Sequence, residues 1–210
     1  DIVFGDWSSD VCSSDLVINN APSKAIVEAD KEACSLSTTL TVTVPPTDGT
    51  GLWSLINGAG NIVDPNSYNA TVNNLNPGPN TFIWTVTKGL CKSVDSLNII
   101  NNYVVSNAGL DDTVCTTTGQ LNALNPLLFF PGQGVGAWTT VGGTGVADNP
   151  TLPNSTVSNL SFGTNRFRWT VVKGGCTATD DAIVYNNRVV VSASDTTSCT
   201  FQDLKSTRLN

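Results

Sequence analysis

The feature that most constrains the fold of this chain is an internal repeat of about 85 residues. Residues 81–91 (TFIWTVTKGLC) recur as residues 166–176 (RFRWTVVKGGC), and the same offset carries Trp53 onto Trp138. A repeat of this period indicates a tandem array of similar folding units. We therefore expect one module for each repeat.

Each repeat has the pattern of short strands separated by turns. Phe82, Trp84 and Val86 alternate with more polar neighbours, which is the period of a half-buried strand. Clusters of Gly, Pro and Asn interrupt the strands near residues 46–51, 57–61, 76–80 and 142–150. About seven strands in such a repeat fit an antiparallel sandwich. The predicted fold class is all-β, with tandem antiparallel Ig-like β-sandwich modules.

The repeat also predicts where the modules begin and end. Module 1 spans residues 17–104, and its residues 17–20 resemble the tail of a preceding module. Module 2 spans residues 105–189, and residues 190–204 match the start of a truncated third module. We expect the chain to be a window of two whole modules from a longer array.

The two ends differ from the rest of the chain. Residues 6–16 resemble one reading frame of a common short-read sequencing adapter, and residues 205–210 resemble the complementary strand. Segments of that origin must be set aside before the fold is considered. We expect residues 1–16 and 205–210 to be adapter-derived, not native, and to make few contacts with the sandwiches.

Each full repeat contains two cysteines at equivalent places. This predicts one disulfide in each module, Cys34–Cys91 and Cys115–Cys176, and an oxidising compartment. Cys199 would then be unpaired. Free buried thiols and metal ligands are the alternatives, but a zinc site favours closely spaced cysteine pairs, and none occurs in the sequence.

Four aspartates recur around these cysteines. Asp30 and Asp111 lie four residues before the first cysteine of each repeat, and Asp95 and Asp180 lie four residues after the second. Their carboxylates could ligate Ca²⁺, which prefers oxygen ligands. The alternative, which we favour, is that they cap turns through hydrogen bonds to the backbone. No other cofactor is predicted.

The composition excludes several classes of function. The chain contains no histidine, so it has neither a Ser-His-Asp triad nor an imidazole metal site. Its net charge of −7 argues against nucleic acid as a partner. No apolar run is long enough for membrane insertion. We predict that the chain is not an enzyme.

The tryptophans of the repeats lie at equivalent strand positions. We predict that Trp84 and Trp169 are buried between the two sheets of their modules. The alternative is a platform of exposed rings that stack on sugars.

The second repeat has one substantial insertion, formed by Leu127, Leu128, Phe129 and Phe130. We expect it to lie on a loop, where insertions are tolerated. Four large apolar residues on a loop either fold over the open end of the sandwich or form an exposed interaction patch.

The motifs of residues 134–176 permit a comparison with a known family. This segment has the order Gly-x-Trp, Gly-x-Gly, Asn-Pro, Thr-Val-Ser-Asn-Leu, Gly-Thr-Asn-x-Phe-x-Trp-Thr-Val and Gly-x-Cys. The pattern resembles the Ig-like or PKD-like repeats of large secreted surface proteins of Bacteroidota, of the adhesin and gliding-motility type. The resemblance covers about residues 21–202 and implies an extracellular or cell-surface location.

The same resemblance suggests a modification and a role. Triplets that begin at Asp95, Asp112 and Asp195 resemble an O-glycosylation signal of that phylum, with Ser96, Thr113 and Thr196 as acceptors. The predicted function is that of non-catalytic spacer modules of an adhesin-like repeat protein. The alternative is an accessory carbohydrate-binding module of a secreted polysaccharide-degrading enzyme. The expected partners are neighbouring modules, extracellular glycans or cell surfaces.

Overall fold

The computed structural model describes residues 21–126 and 134–190, and this part of the chain folds into β-strands without an α-helix. The first repeat forms β1 (Lys31–Ala33), β2 (Ser37–Thr41), β3 (Thr50–Asn57), β4 (Asn61–Ile62), β5 (Asn69–Asn73), β6 (Gly78–Lys88) and β7 (Cys91–Asn101). The second repeat forms β8 (Asp112–Val114), β9 (Gly119–Gln120), β10 (Val135–Gly142), β11 (Val146–Ala147), β12 (Thr156–Ser158), β13 (Gly163–Lys173) and β14 (Cys176–Asn186).

The seven strands of the first repeat form two sheets. One has the order β1-β7-β6-β3 and the other β2-β5-β4. Every strand pair in these sheets is antiparallel except β1 with β7, which is parallel. The parallel pair places the end of β1 beside the end of β7, because Ala33 lies opposite Asn101.

The strands of the second repeat follow the same plan. Their sheets have the orders β10-β13-β14-β8 and β11-β12-β9, and β8 is parallel to β14. Two facing sheets of four and three strands in this order form an Ig-like β-sandwich. The predicted all-β, Ig-like fold class is confirmed.

Contacts divide the chain into two compact units. The first contains the described residues up to Ser106 together with those of Asn125–Gly136 and Thr170–Thr179. The second contains Asn107–Leu124, Ala137–Trp169 and the described residues from Asp180 onward. The turn between β13 and β14 therefore belongs to the first unit, although its sequence belongs to the second repeat. The module boundaries drawn from the sequence stay a prediction.

An aromatic pair occupies the core of the first unit. Trp53 and Trp84 are 2% and 0% exposed, and their ring centroids are 5.3 Å apart. Leu40 and Val72 reach the same cluster from the other sheet and are fully buried. The alternation along β6 thus directs its larger side chains inward, and the predicted burial of Trp84 is confirmed.

The second unit repeats this aromatic pair. Trp138 and Trp169 are 3% and 0% exposed, with ring centroids 5.1 Å apart. Phe167, two residues before Trp169 on the same face of β13, is also fully buried. The predicted burial of Trp169 is confirmed.

A buried asparagine holds the turn that precedes β6. Asn80 is 1% exposed, and its Nδ2 donates to the carbonyl oxygens of Asn76 and Gly78. Its Oδ1 accepts a hydrogen bond from the backbone N–H of Ala59 at 3.1 Å. Asn165 is the equivalent residue of the second repeat and is fully buried. Satisfied in this way, a polar side chain can be buried without a large desolvation penalty.

A second buried asparagine ends the last strand of each repeat. Asn101 donates from Nδ2 to the carbonyl of Leu75 and accepts from the backbone N–H of Tyr103. Asn186 makes the same two kinds of bond in the second repeat, donating to Leu160. Both side chains are fully buried. They fix the point at which the chain leaves the sheet.

Gly51 leaves room for the ring of Trp84. A Cβ atom at Gly51 would overlap that ring and lie 2.6 Å from its Cε2. We therefore expect Gly51→Ala to lower the free energy of unfolding by about 1–3 kcal/mol through overpacking. Denaturant unfolding measures the change, and Ser54→Ala at an exposed position of the same strand is the control. Equal stability of the two variants would contradict this packing.

Candidate functional site

The one disulfide among the described residues joins the two sequence repeats. It links Cys34 to Cys176, which are 142 positions apart in the sequence, with Cα atoms 5.4 Å apart. That distance is within the usual range for bridged cysteines. Both residues belong to the first compact unit. Cys91 and Cys115 are free thiols and exposed.

The predicted pairs Cys34–Cys91 and Cys115–Cys176 are therefore wrong. The reason is the parallel edge strand. Cys34 follows Ala33, which lies opposite Asn101 at the end of β7, whereas Cys91 is the first residue of that strand. Because a strand rises about 3.3 Å per residue, the two cysteines lie about 30 Å apart.

The turn between β13 and β14 is closely packed around the disulfide. Cys176 is 2% exposed, and its Sγ lies 3.4 Å from the carbonyl oxygen of Ala33. The backbone N–H of Gly175 donates to Glu32 Oε2 at 3.3 Å. Cys176 and the residue before it thus both contact the end of β1, next to Cys34.

Glycine is required at the tip of this turn. Gly174 has φ +53°, a backbone conformation that residues other than glycine rarely adopt. A Cβ atom there would also overlap the side-chain amide of Asn102, which is 6% exposed. The turn therefore covers Asn102.

Two of the recurring aspartates hold the segment before the first strand of each repeat. Asp95 Oδ2 accepts a hydrogen bond from the backbone N–H of Val27 at 2.9 Å. Asp180 Oδ2 accepts one from the backbone N–H of Ala108 at 2.8 Å. The same tie is made in both repeats.

The other two aspartates bind the last strand. Asp30 accepts from the backbone N–H of Asn98 at 2.8 Å and from its side-chain amide at 3.0 Å. These two bonds, the backbone one first, lower the pKa of Asp30. Asp111 accepts from the backbone N–H of Ile183 at 2.8 Å.

All four carboxylates thus act as acceptors in ties between backbone segments. Within residues 21–126 and 134–190, no three His, Cys, Asp or Glu side chains form a group that could hold a metal ion. The calcium hypothesis stays a prediction.

A charged cluster lies on the second unit. Arg168 donates two hydrogen bonds to Asp181, at 2.7 and 3.0 Å, and Arg166 Nε lies 3.7 Å from the same carboxylate. The hydrogen bonds from Arg168, followed by the charges of Arg168 and Arg166, lower the pKa of Asp181. This carboxylate is thus engaged by two arginines.

The lowered pKa of Asp181 predicts a pH-dependent contribution to stability. It is present above the ordinary aspartate pKa of 3.8 and is lost as the pH falls through the lower folded value. Asp181→Asn should reduce the free energy of unfolding by up to about 1 kcal/mol at pH 7, because the pair is partly exposed. The difference from the parent should vanish in acid. Denaturation curves at both pH values test this, with Asp112→Asn as a control of equal charge change.

The remaining predicted sites are exposed or lie outside the described residues. Ser96 on β7 and Thr113 on β8 are exposed. Their hydroxyls are therefore accessible to a glycosyltransferase, while their use stays a prediction. Thr196, Cys199 and the insertion Leu127, Leu128, Phe129 and Phe130 lie outside the described residues, as do both adapter-like ends.

A shallow depression of about 270 Å³ lies on the first unit. It is lined by Leu36, Asn74, Leu75, Asn76, Pro77 and Tyr103. The half-buried ring of Tyr103 is its only aromatic group.

Within residues 21–126 and 134–190, no helix has the length and apolar character needed to cross a membrane. No protein-family model matches the sequence, and no curated protein matches it either.

Solved structures with similar folds were found. The insect immune protein hemolin is 10% identical over 82% of this chain, with a TM-score of 0.47, and the chain spans 49% of that structure. Extracellular domains 3–5 of Drosophila OTK are 11% identical over 78% of this chain and 60% of theirs, with a TM-score of 0.41. A SusE-like surface polysaccharide-binding protein of Bacteroides thetaiotaomicron is 10% identical over 80% of this chain and 34% of its own, with a TM-score of 0.34.

Proposed function

We propose that this chain consists of non-catalytic spacer modules of a secreted or cell-surface, adhesin-like repeat protein. The observation that carries the proposal is the disulfide between Cys34 and Cys176. It joins residues of consecutive repeats, and it is buried on its Cys176 side. A covalent bond between consecutive repeats suits a spacer, because the repeats must stay folded and joined to each other while they separate other parts of the protein.

The disulfide also supports the proposed location. Disulfides form and persist in secreted and surface proteins, and they are rare in reducing compartments. The motifs of residues 134–176, which resemble those of Bacteroidota surface proteins, favour the same location. Neighbouring modules and cell surfaces are the proposed partners.

The buried tryptophans favour a spacer over a carbohydrate-binding module. A sugar-stacking platform needs exposed rings, and Trp53, Trp84, Trp138 and Trp169 are all at most 3% exposed. The rings of each pair are also tilted, by 50° in the first unit and 47° in the second. The strand tryptophans therefore serve the core.

Gel electrophoresis through immobilised polysaccharides tests the proposal. The oxidised chain should migrate equally with and without each polysaccharide, as a protein without a glycan site does. Saturable retardation would contradict the spacer function and support the carbohydrate-binding alternative. In that case Tyr103→Ala identifies the depression as the site if it abolishes the retardation, and Tyr68→Ala, at another partly exposed tyrosine, is the matched control.

A further inference from the structure

We propose that the Cys34–Cys176 bond is one link of a series, in which the first cysteine of each repeat bonds to the second cysteine of the next repeat. This inference rests on the proposed spacer function and deepens it by naming how the array is held together. By the same rule, Cys115 bonds to the second cysteine of a following repeat. Cys91 bonds to the first cysteine of a preceding repeat.

The free cysteines occupy the same structural positions as the bonded pair. Cys115 follows β8, whose last residue lies opposite Asn186, just as Cys34 follows β1 opposite Asn101. Cys91 begins β7 as Cys176 begins β14. Each free thiol is therefore one half of the arrangement that the disulfide completes.

The turns that carry the second cysteines also share a conformation. Gly89 has φ +58° and Gly174 has φ +53°, and each lies two residues before its cysteine. The turn that ends at Cys91 thus has the backbone shape of the turn that packs around the disulfide.

The exposure of equivalent residues shows which surfaces are uncovered. Cys176 is 2% exposed and Asn102 is 6% exposed, because the turn between β13 and β14 covers Asn102. Their equivalents, Cys91 and Asn187, are both exposed. An uncovered surface therefore lies beside each free cysteine. The surfaces at Cys91 and Cys115 are complementary, because they are equivalent to the two surfaces that meet at the Cys34–Cys176 bond.

An exposed leucine strengthens this assignment. Leu90, next to Cys91, is 100% exposed, and it stands where the second repeat has Gly175. A large apolar side chain at the tip of a turn gains about 1.5–3 kcal/mol when a partner surface covers it. The surface beside Cys115 of another repeat is the occupant that the series assigns to it.

The bond would form by thiol–disulfide exchange. The thiolate of one cysteine attacks oxidised glutathione, which gives a mixed disulfide and releases one glutathione thiolate. The second cysteine's thiolate attacks the mixed disulfide and releases the other. The two protein thiols are oxidised to one disulfide, glutathione disulfide is reduced, and the two protons end on the two glutathione molecules.

Two copies of this chain can test the series, because Cys115 of one copy and Cys91 of another stand in the relation of consecutive repeats. Cys12 and Cys199 are first replaced by serine. Cys91→Ser and Cys115→Ser are then made separately, and one carries a small mass tag. Each variant alone and an equal mixture are incubated in a glutathione redox buffer, and the dimers are quantified by non-reducing gels and peptide mapping.

The series predicts that the mixed dimer, bonded Cys115 to Cys91, exceeds either homodimer about tenfold, which corresponds to about 1.4 kcal/mol of complementary contact. Leu90→Ala in the copy that supplies Cys91 should reduce this excess. Dimers in the proportions of random pairing, or no dimers, would overturn the series. The Cys34–Cys176 peptide is read from the same map: its presence shows that the variants are folded, and its absence would also remove the basis of the spacer function.

Discussion

Replacement of Trp84 by alanine is expected to lower the free energy of unfolding of the first unit by about 3–5 kcal/mol. The ring is fully buried, and its centroid lies 5.3 Å from that of Trp53. It occupies the space in which a side chain at Gly51 would lie. Its loss would leave a cavity between two sheets that are held apart by other large side chains. Denaturant unfolding followed by circular dichroism measures the change.

The matched variant is Trp169→Ala, which removes the equivalent ring from the second unit and should cost a similar amount. Leu90→Ala, at a fully exposed position, is the control and should leave stability unchanged. Trp84→Phe should cost less than Trp84→Ala. The indole N–H of Trp84 has no hydrogen-bond partner among the described residues, so only apolar volume is lost. A stable Trp84→Ala variant would contradict the core described for the first unit.

Loss of the disulfide is expected to have an effect of similar size. The bond closes a loop of 142 residues, and in the chain-entropy model such a closure stabilises the folded state by about 5 kcal/mol. Cys176→Ser should therefore lower the free energy of unfolding by about that amount under oxidising conditions. Unfolding of the parent in a reducing buffer should match unfolding of the variant.

Cys91→Ser provides the control for this experiment. Its thiol is exposed and free, so the variant should unfold like the parent in both buffers. If Cys91→Ser destabilised the chain as much as Cys176→Ser does, the observed pairing would be contradicted, and the pairs predicted from the sequence, which use both residues, would have to be considered again.

The core could be predicted from the sequence because its signal is local. Trp84 alternates with polar neighbours along one strand, and Trp169 repeats the pattern at the same place in the second repeat. Alternation alone decides which side chains face inward once a strand forms. The fold class follows, since about seven such strands in each repeat form a sandwich.

The disulfide could not be predicted because its determinants are not local. Equal numbers of cysteines at equivalent places are compatible with bonds within a repeat and with bonds between repeats. The choice depends on β1, three residues long, which pairs with β7 in the parallel direction and places Cys34 beside Asn101. A strand this short has no clear sequence pattern, and its direction depends on the whole sheet.

The buried asparagines were missed, although a signal for them exists. Asn80 lies two residues before Phe82, and therefore on the inward face of the alternating strand, and Asn165 holds the same place before Phe167. A polar residue repeated at an inward position predicts a satisfied buried hydrogen-bonding group. The acceptors of its bonds, such as the carbonyl of Asn76, could not have been identified without the fold.

The recurring aspartates show the limit of repetition as a guide to chemistry. Asp30 and Asp95 accept hydrogen bonds from the backbone amides of Asn98 and Val27, and their equivalents in the second repeat, Asp111 and Asp180, accept bonds from those of Ile183 and Ala108. A metal site would recur in the same manner. Only the positions of the hydrogen-bond donors distinguish a hydrogen-bonding role of these carboxylates from a metal site. Those positions depend on the packing of segments that are distant in the sequence.

The disulfide also determines how this chain would carry tension. A pull applied on either side of residues 34–176 passes from Cys34 to Cys176 through a covalent bond, so the chain between them bears no load. Fully extended, that chain would span about 500 Å, and the bond holds this length in reserve. Reduction of the bond would place it under tension and allow the folded strands to be drawn out. The redox state of a single pair of cysteines would then set how far the protein stretches before it breaks.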